Sequence, residues 1–433
     1  MNTSIAVDLE QPATVSKHTR DASVMTTCRF CQTPLRQTFV DLGMSPLCES
    51  YIRYGQLNAM EPFYPLHVKV CENCYLVQLP EYVSREHIFS EYAYFSSYSD
   101  SWLKHASEYV EMISERFNLG SNSLCVELAS NDGYLLQYFV ERGIRVVGVE
   151  PATNVAAAAE KKGVPTLIKF FGVETALEMN QDGQAADLII GNNVLAQVPD
   201  LNDFVAGIRI LLKSQGVATL EFPHLQQLME QNQYDTIYHE HFSYFSLITV
   251  EKIFAAHNLV IFDVEELPTH GGSIRIYARH ADDRSKLVTS AVVSLREREL
   301  ALGLDCIETY ASFSEQVKAS KRALLELLIQ LRREQKQIVG YGAPGKGNTL
   351  LNYCGIRTDF VEYTVDRNPY KQGRFLPGTH IPIYAPSRIR ETRPDYVLIL
   401  PWNLRTEIVE QLAYVREWGA KFIVPIPQAR VFA

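Results

Sequence analysis

The sequence predicts an α/β protein in which a small cysteine-rich module precedes two open sheets of alternating strands and helices. Three observations support this fold class: two Cys-x-x-Cys pairs near the start, a strand–turn–helix–strand unit in the middle third, and a strand–glycine turn–helix unit in the last third. The chain has 433 residues. That length exceeds one ordinary hydrophobic core, so two to three domains are expected.

Composition excludes several classes of function. An apolar content of 46% and a charged content of 21% are typical of soluble globular proteins. The net charge is −9, and the sequence has no tract of clustered Lys and Arg with interleaved aromatic residues. Both observations argue against nucleic acid as the main partner. The sequence contains no run of about 18 apolar residues, so no membrane span is predicted. Residues 1–25 are polar, which predicts a disordered tail and not a signal peptide. The protein is therefore expected to be cytoplasmic.

The cysteine pairs are Cys28 with Cys31 and Cys71 with Cys74. Each tight turn lets two thiolates reach one ion, and two such turns complete a tetrahedral shell. Because the protein fills all four positions, no place remains for a reacting water, and the metal is expected to be structural. The prediction is a four-cysteine Zn²⁺ site.

An aromatic segment, residues 88–98, separates this module from a helix predicted at 101–117. It includes Tyr92 and Tyr94, whose rings each offer a flat face and a hydroxyl. Such a segment can line a polar ligand or form a patch between domains, and the residues favour neither alternative.

The middle third begins with a nucleoside-binding pattern. A strand at 124–129 runs into the turn 127–133, and a second strand, 146–149, ends in Glu150. In such a unit the turn approaches the ligand and the acid binds two ribose hydroxyls. The turn contains one glycine, Gly133, instead of three, so a methionine-bearing nucleoside is expected rather than a dinucleotide. A plain αβ unit is the alternative.

Further strands follow at 166–170, 187–191 and 217–221, and a closing hairpin is predicted at 260–265 and 273–278. Asn192 and Asn193 follow the fourth strand, at the carboxyl edge where open α/β sheets bind ligands. Five strands and a hairpin fit a seven-stranded methyltransferase sheet.

The segment Tyr238-His239-Glu240-His241 carries the densest chemistry of the chain. If it is extended, His239 and His241 point to one side and the other two residues to the opposite side. Imidazole titrates near neutrality, so the segment predicts a general base, a structural cluster or a metal-binding histidine pair.

The last third contains helical patterns from 284 to 336 and then a strand at 337–342. Gly340, Gly342 and Gly345 fit G-x-G-x-x-G between this strand and a helix, and a strand at 360–365 ends in Asp366. Gly347 stands where a nucleotide hydrolase has Ser or Thr, which argues against hydrolysis. The pattern is typical of a diphosphate site, with a packing or dimerisation domain as the alternative.

Taken together, the motifs resemble the S-adenosylmethionine-dependent sugar C-methyltransferases that make branched deoxysugars on nucleotide carriers. The resemblance extends from about Cys28 onward and rests on six ordered features: the paired Cys-x-x-Cys module, E-L-A-S-N-D-G-Y-L-L, N-N-V-L-A-x-V-P-D, Y-H-E-H-F-S-Y-F-S, H-G-G-S-I-R and Y-G-A-P-G-K-G-N. One departure is Gln197, where many relatives have His, so an acid/base role is not expected at that position.

The resemblance implies a zinc-binding domain at 26–85, a class I, seven-stranded, Rossmann-like methyltransferase domain at 86–282 and a C-terminal Rossmann-like domain at 283–433. The cofactors are then S-adenosylmethionine and structural Zn²⁺, and the partner is a nucleotide-linked keto-deoxysugar. His241 acts as the base, supported by Tyr238 and Glu240, with Tyr92 and Tyr94 as further hydrogen-bond donors.

The remaining expected contacts fall in two sets. The methyl donor is expected to contact Glu127, Ala129, Asn131, Asp132, Gly133, Glu150, Asn192 and Asn193. The sugar nucleotide is expected to contact His239, Gly342, Lys346, Gly347, Asn348, Asp366 and Arg374.

The expected reaction is methylation of a carbon beside the ketone of a 4-keto-deoxysugar, through an enolate. Two alternatives are an O- or N-methyltransferase of another small metabolite and a non-catalytic or oxidoreductase protein that binds a dinucleotide.

Overall fold

The structure is a computed structural model that describes residues 27–89 and 95–433. The predicted tail, 1–25, and the two aromatic residues Tyr92 and Tyr94 lie outside the described residues. Within the described ranges the strands form three sheets, and the predicted α/β fold class is confirmed. None of the helices in these ranges is long and apolar enough to cross a membrane.

The first sheet is antiparallel, in the order β1-β2-β3-β9. Its elements, with the helix that follows them, are β1 (Gln37–Ser45), β2 (Tyr64–Val70), β3 (Val77–Gln78), α1 (Arg85–Phe89) and, from the middle of the chain, β9 (Ser243–Tyr244). Tyr244 pairs with Val77. This pairing ties the segment just after His241 to the N-terminal module.

The middle sheet has the order β10-β11-β8-β7-β4-β5-β6, the predicted seven strands. Its strands are β4 (Leu124–Leu128), β5 (Arg145–Val149), β6 (Thr166–Leu167), β7 (Ala186–Asn192), β8 (Leu212–Pro223), β10 (Leu259–Leu267) and β11 (Ser273–His280). The helices of this region are α2 (Asp100–Arg116), α3 (Leu136–Glu141), α4 (Thr153–Lys161), α5 (Val173–Gln181), α6 (Leu201–Leu211), α7 (Leu225–Glu230) and α8 (Leu247–Ala256).

Most local predictions for this sheet are confirmed. Every residue of β4 is buried, as the continuous apolar run of a central parallel strand requires. β10 and β11 form the predicted antiparallel hairpin. The strand predicted at 166–170 is wrong in length, because pairing with β5 ends after Leu167.

The third sheet has the order β14-β13-β12-β15-β16-β17. Its strands are β12 (Ile338–Tyr341), β13 (Thr364–Val365), β14 (Ile383–Tyr384), β15 (Tyr396–Ile399), β16 (Lys421–Val424) and β17 (Arg430–Phe432). The accompanying helices are α9 (Ser290–Ala301), α10 (Ile307–Ala311), α11 (Phe313–Arg333), α12 (Gly345–Cys354), α13 (Arg388–Thr392) and α14 (Arg405–Gln411). The strand predicted at 360–365 is shorter than expected, since only its last two residues pair.

The N-terminal and C-terminal parts share one hydrophobic core. The Phe39 ring on β1 stacks on Phe313 at the start of α11, with centroids 4.6 Å apart, and Tyr75 stacks on Tyr310 at 6.3 Å. Aromatic pairs of this kind contribute about 0.5–1.5 kcal/mol beyond the area they bury. The shared core fixes both parts around the carboxyl edge of the middle sheet.

Candidate functional site

A cleft with about 990 Å³ of empty space, part of it open to solvent, lies at the carboxyl ends of β4, β5 and β7. Five of the eight residues predicted to contact the methyl donor line it: Ala129, Asn131, Glu150, Asn192 and Asn193. Glu127, Asp132 and Gly133 lie in the adjoining strand end and turn. Open α/β sheets bind ligands at this edge.

The turn after β4 adopts a left-handed backbone at every second residue. The φ angles are +56° at Ala129, +49° at Asn131 and +72° at Gly133. Gly133 also approaches α4 closely, because an added Cβ would lie 3.2 Å from the Ala159 Cβ. The sequence shows one glycine, yet the backbone has three positions of the kind that glycine favours, two of them filled by Ala and Asn.

Glu150 ends β5 and is 5% exposed. Its Oε2 accepts a hydrogen bond from the Asn131 backbone N–H at 3.0 Å, and Oε1 accepts from the Ala152 N–H at 2.9 Å. Burial raises the pKa of Glu150 to about 7, and these two donors oppose the rise. Each oxygen keeps a further acceptor position, as two ribose hydroxyls would need.

The structure supports the fit of a cationic, donor-rich ligand in this cleft. Asn193 Oδ1 in the cleft wall, and Ser130 Oγ and Asp132 Oδ1 in the adjoining turn, are buried, and none has a hydrogen-bond partner among the described residues. Glu127 is fully buried, which raises the pKa of its carboxyl well above the ordinary value. S-adenosylmethionine carries an ammonium group, a sulfonium and ribose hydroxyls, so these acceptors match its chemistry.

The segment Tyr238 to His241 is a turn rather than an extended segment, so the shared face considered for its two histidines does not form. The His241 backbone N–H donates to the Tyr238 carbonyl at 2.9 Å, and the two rings lie 4.1 Å apart. His239 instead packs edge-on against Tyr64 at 5.8 Å, with Nε2 3.3 Å from the Pro65 carbonyl. The two histidines therefore do not face one ion.

The hydrogen bonding of His241 fixes its tautomer. Nδ1 lies 3.0 Å from the Thr236 carbonyl, an acceptor, so Nδ1 carries the proton and Nε2 keeps a free lone pair. Burial, with smaller contributions from the charges of His270 and Lys346, lowers the pKa of His241 to about 4, while the hydrogen bond to the Thr236 carbonyl opposes the change. The imidazole is therefore neutral at neutral pH and able to accept a proton.

The neighbours of this turn come from distant segments. The Cys48 thiol donates to Glu240 Oε1 at 3.5 Å. Thr349 on α12 donates from its hydroxyl to the Ile237 carbonyl at 2.9 Å. At the start of the same helix, a Cβ added to Gly345 would lie 2.9 Å from Cys48 Sγ. The first turn of α12 is thus held directly beside the segment Tyr238 to His241.

The glycine-rich turn before α12 serves protein packing. Gly342 has a φ of +87°, and an added Cβ would lie 2.6 Å from Pro401. An added Cβ at Gly347 would lie 3.0 Å from Leu400. Asp366 accepts from the Ala343 backbone N–H at 2.7 Å, so its carboxylate holds the turn itself.

Lys346, a predicted substrate residue, lies in the first turn of α12 and contacts Asn403 and Trp402. Its Nζ donates to Asn403 Oδ1 at 2.9 Å and sits 4.7 Å from the centre of the Trp402 ring. The Trp402 indole N–H donates to Asp235 Oδ2 at 2.7 Å, and Asp235 has a pKa raised to about 6 by burial. Burial lowers the pKa of Lys346, while Asp235 opposes the change.

The other predicted substrate residues are more dispersed. Asn348 is buried, and its Nδ2 lacks a hydrogen-bond partner among the described residues. Arg374 is half-buried in a turn whose backbone N–H bonds the Lys371 carbonyl. A second cleft, with about 1110 Å³ of empty space, separates the middle and C-terminal domains beside Trp402 and Asn403.

The four predicted metal ligands come together. The Sγ atoms of Cys28 and Cys74 lie 3.6 Å apart, those of Cys31 and Cys71 lie 3.5 Å apart, and all four lie within 4.8 Å of one another. A tetrahedron with Zn–S bonds of about 2.3 Å has edges of roughly 3.8 Å, so the cluster fits zinc. Among the described residues, these four cysteines are the one group of three or more His, Cys, Asp or Glu side chains placed closely enough to hold a metal ion.

The cysteine cluster is docked on the middle domain. The buried Arg29 guanidinium donates to the carbonyls of Pro199 and Leu79 at 2.7 and 2.5 Å. Asn202 on α6 donates to the carbonyls of Arg29 and Phe30. Because Pro199 also lines the cleft, the metal module supports one wall of the site.

Several residues of the site were missed by sequence reasoning: Trp102, Asp235, His270, Trp402 and Asn403. Their partners lie far away in sequence, so spacing carried no signal for most of them. His270 had one signal, its place just before the adjacent glycines Gly271 and Gly272 in the hairpin turn.

Three family models match successive parts of the chain. Residues 28–89 match the "Putative zinc binding domain", residues 102–264 match the "Methyltransferase domain", and residues 268–427 match the "C-methyltransferase C-terminal domain".

Known proteins also resemble the chain. It is 35% identical over 406 residues to the C-methyltransferase NovU of Streptomyces niveus, a match that covers 94% of this chain and 96% of that protein. Among solved structures, the PH0226 protein of Pyrococcus horikoshii OT3 aligns with a TM-score of 0.36 at 14% identity, covering 45% of this chain and 97% of that one. Magnesium protoporphyrin IX methyltransferase of Synechocystis PCC 6803 aligns with a TM-score of 0.32 at 14% identity, covering 41% and 78%.

Proposed function

This chain belongs to the family of S-adenosylmethionine-dependent C-methyltransferases with an N-terminal zinc-binding domain, and from that premise we propose its substrate and mechanism. The proposed substrate is a nucleotide-linked 4-keto-deoxysugar, methylated at a ring carbon beside the ketone. The observation that carries the proposal is His241: a neutral imidazole, held by the Thr236 carbonyl, with a free Nε2.

A carbon beside a ketone becomes a nucleophile only after its proton is removed. His241 Nε2 takes that proton, and the electron pair of the C–H bond forms a C=C bond while the carbonyl pair moves to oxygen. The bound S-adenosylmethionine supplies an electrophilic methyl group. The enolate carbon forms its bond to this methyl, the carbon–sulfur bond breaks, and the ketone is restored.

The neighbouring side chains have positioning roles in this proposal. The Tyr238 ring packs on His241 at 4.1 Å, and its hydroxyl is a hydrogen-bond donor for the sugar. Glu240, buried in the same turn, supports the base and the sugar. Tyr92 and Tyr94 remain proposed donors from outside the described residues. His239 is proposed to contact the substrate through Nδ1, which has no partner in the described ranges.

The carrier is proposed to bind where the middle and C-terminal domains meet. Lys346 offers a partly buried cation at the start of α12, and Asn348 offers a buried amide N–H without a partner among the described residues on the same helix. Backbone N–H groups at the start of a helix favour anions such as a diphosphate. Gly342 and Gly347 let the start of α12 pack against Pro401 and Leu400, Asp366 holds the turn, and Arg374 is a further cation on this domain.

Methyl-donor binding is expected to depend on Glu150. Ribose hydroxyls favour the charged carboxylate and so lower the raised pKa of about 7, which makes affinity increase several-fold between pH 6 and pH 8. In the donor-free protein the sign is opposite, because a carboxyl with a raised folded pKa contributes stability that is lost as the pH rises through about 7.

Calorimetric titration of wild type and Glu150→Gln with S-adenosylmethionine at several pH values checks the expected affinity and its pH dependence. The amide should bind roughly 10- to 100-fold more weakly, since a hydrogen bond to a charged group contributes about 1.5–3 kcal/mol. Its affinity should also lose the pH dependence. Equal affinity and equal pH dependence in the two proteins would remove Glu150 from the donor site.

The proposed substrate is tested by incubating the enzyme and S-adenosylmethionine with a panel of nucleotide-linked 4-keto-deoxysugars. Product NMR should place the new methyl on a ring carbon beside the ketone. A methyl on oxygen or nitrogen would support the heteroatom methyltransferase instead. Thermal stabilisation by NAD rather than S-adenosylmethionine would favour a dinucleotide-binding protein.

A further inference from the structure

His270 occupies a constrained position in the turn between β10 and β11. Its φ is +55°, a left-handed conformation that is uncommon outside glycine, and Gly271 and Gly272 follow with φ of +97° and +124°. Asn193, at the end of β7, has a φ of +57°. Such strain costs on the order of 1–3 kcal/mol and is typical of functional sites.

Two contacts hold the His270 ring. Asn193 Nδ2 lies 2.9 Å from His270 Nε2, so the amide N–H donates and Nε2 accepts. The Trp102 ring packs edge-on at 5.2 Å. Because Nε2 accepts, the ring proton resides on Nδ1, which takes part in no hydrogen bond within the described part of the chain.

His270 borders both halves of the site. Trp102 and Asn193, which hold its ring, also line the methyl-donor cleft. The next residue, Gly271, packs against Trp402, since an added Cβ would lie 2.6 Å from that ring, and Lys346 Nζ lies 4.7 Å from the centre of the same ring. A charge on His270 lowers the pKa of His241, and the Lys346 charge lowers the pKa of both imidazoles. The His270 turn therefore joins the wall of the donor cleft to the Trp402–Lys346 side of the site.

The ring is also neutral. Burial, with smaller contributions from the charges of Lys346 and His105, lowers the pKa of His270 to about 4, and Glu221 opposes the change. A neutral imidazole N–H is a hydrogen-bond donor that places no charge beside the base. Neutral histidine serves as an electrophile in other enzymes that form enolates.

We infer that His270 is a further catalytic residue, whose Nδ1–H donates a hydrogen bond to the oxygen that becomes negative as the enolate forms. This inference rests on the proposed carbon methylation. The His270 proton stays on nitrogen throughout: the carbonyl electron pair moves to oxygen when His241 takes the carbon proton, and it returns when the carbon–carbon bond forms. One donor of this kind contributes roughly 10²- to 10³-fold to the rate.

Two isosteric variants separate this role from a structural one. Asn and Asp both tolerate a left-handed backbone, and their side-chain atoms reach the position of Nδ1. His270→Asn keeps an N–H donor there, whereas His270→Asp offers only acceptors. The Asp variant should lose roughly 10²- to 10³-fold in kcat and in deuterium exchange of the substrate carbon, while the Asn variant stays within about tenfold of wild type.

The controls are the dissociation constant for S-adenosylmethionine and the melting temperature, which should change little in either variant. Asn193→Asp is a second test, because a carboxylate acceptor draws the ring proton to Nε2 and leaves Nδ1 without a donor. It should reproduce the loss of exchange.

Deuterium exchange at the substrate carbon beside the ketone is measured first with the wild-type enzyme. If wild type neither exchanges nor methylates any keto-sugar, the proposed function is wrong. If wild type exchanges and His270→Asp does so at the same rate, His270 alone is wrongly assigned. Equal losses in Asn and Asp variants, with weakened donor binding, would show that the residue only supports the cleft.

Discussion

Replacing His241 with Asn is expected to lower the rate of methyl transfer by about 10²- to 10⁴-fold, the usual contribution of a general base. The amide of Asn can still donate to the Thr236 carbonyl, but it offers no basic nitrogen to the substrate. His241 is absent from the walls of the donor cleft, so affinity for S-adenosylmethionine should be unchanged. Single-turnover kinetics and calorimetric titration measure the two quantities separately.

His239→Asn is the matched variant, two residues away in the same buried turn. The His239 ring is held by Tyr64 and the Pro65 carbonyl, and its Nδ1 is the group proposed to contact the substrate. The substitution should therefore raise KM for the sugar nucleotide with little effect on kcat. A near-normal rate in His241→Asn would exclude His241 as the base. Tyr238 and Glu240 would then be the next groups to test.

The second large effect is expected from loss of the zinc site. Cys28 is fully buried among the other three thiols, and Cys28→Ser removes one of four ligands. Structural zinc contributes about 10–16 kcal/mol in small zinc-binding modules, which matches or exceeds the stability of a typical domain, about 5–15 kcal/mol. The variant, and likewise Cys74→Ser, should therefore lose bound zinc, melt at a lower temperature and be less soluble.

Metal analysis and thermal denaturation check this expectation. Cys306→Ser is the control, since Cys306 is an exposed cysteine outside the cluster. Cys28→Ser should also weaken S-adenosylmethionine binding, because the adjacent Arg29 holds the Pro199 carbonyl at the edge of the cleft. Full zinc content and an unchanged melting temperature in Cys28→Ser would overturn the structural role of the metal.

The sequence predicted those features that depend on local pattern. The central strands of the middle sheet are buried on both faces and so appear as continuous apolar runs, and β4 is buried at every residue. The closing hairpin follows from alternating side chains flanking Gly271 and Gly272. The four-cysteine metal site could be predicted from the two Cys-x-x-Cys turns, because their spacing alone brings each pair of thiolates together.

Features that depend on distant partners could not be predicted. Tyr238 to His241 forms a turn beside Thr349, and Glu240 meets Cys48, which lies 192 residues earlier in the chain. The strand containing Tyr244 is two residues long and exists only through pairing with β3. No local periodicity reports such contacts.

The glycine pattern of the last third shows a different limit. Gly340, Gly342 and Gly345 predicted a diphosphate turn, but Gly342 is required because Pro401 packs against it. Glycine is required wherever another group approaches the backbone closely, whether that group is a ligand or a side chain of the protein. Only the folded structure shows which neighbour is present.

Carbon-acid chemistry at the sugar is the central claim, and exchange with solvent tests it most directly. Nucleotide-linked 4-keto-deoxysugars are incubated with the enzyme in D₂O, with and without S-adenosylmethionine, and the products are examined by mass spectrometry and NMR. We expect deuterium at the carbon beside the ketone without the donor, and a methyl group on that same carbon when the donor is added. A methyl group found on oxygen or nitrogen, or no methyl transfer to any keto-sugar of the panel, would contradict the account.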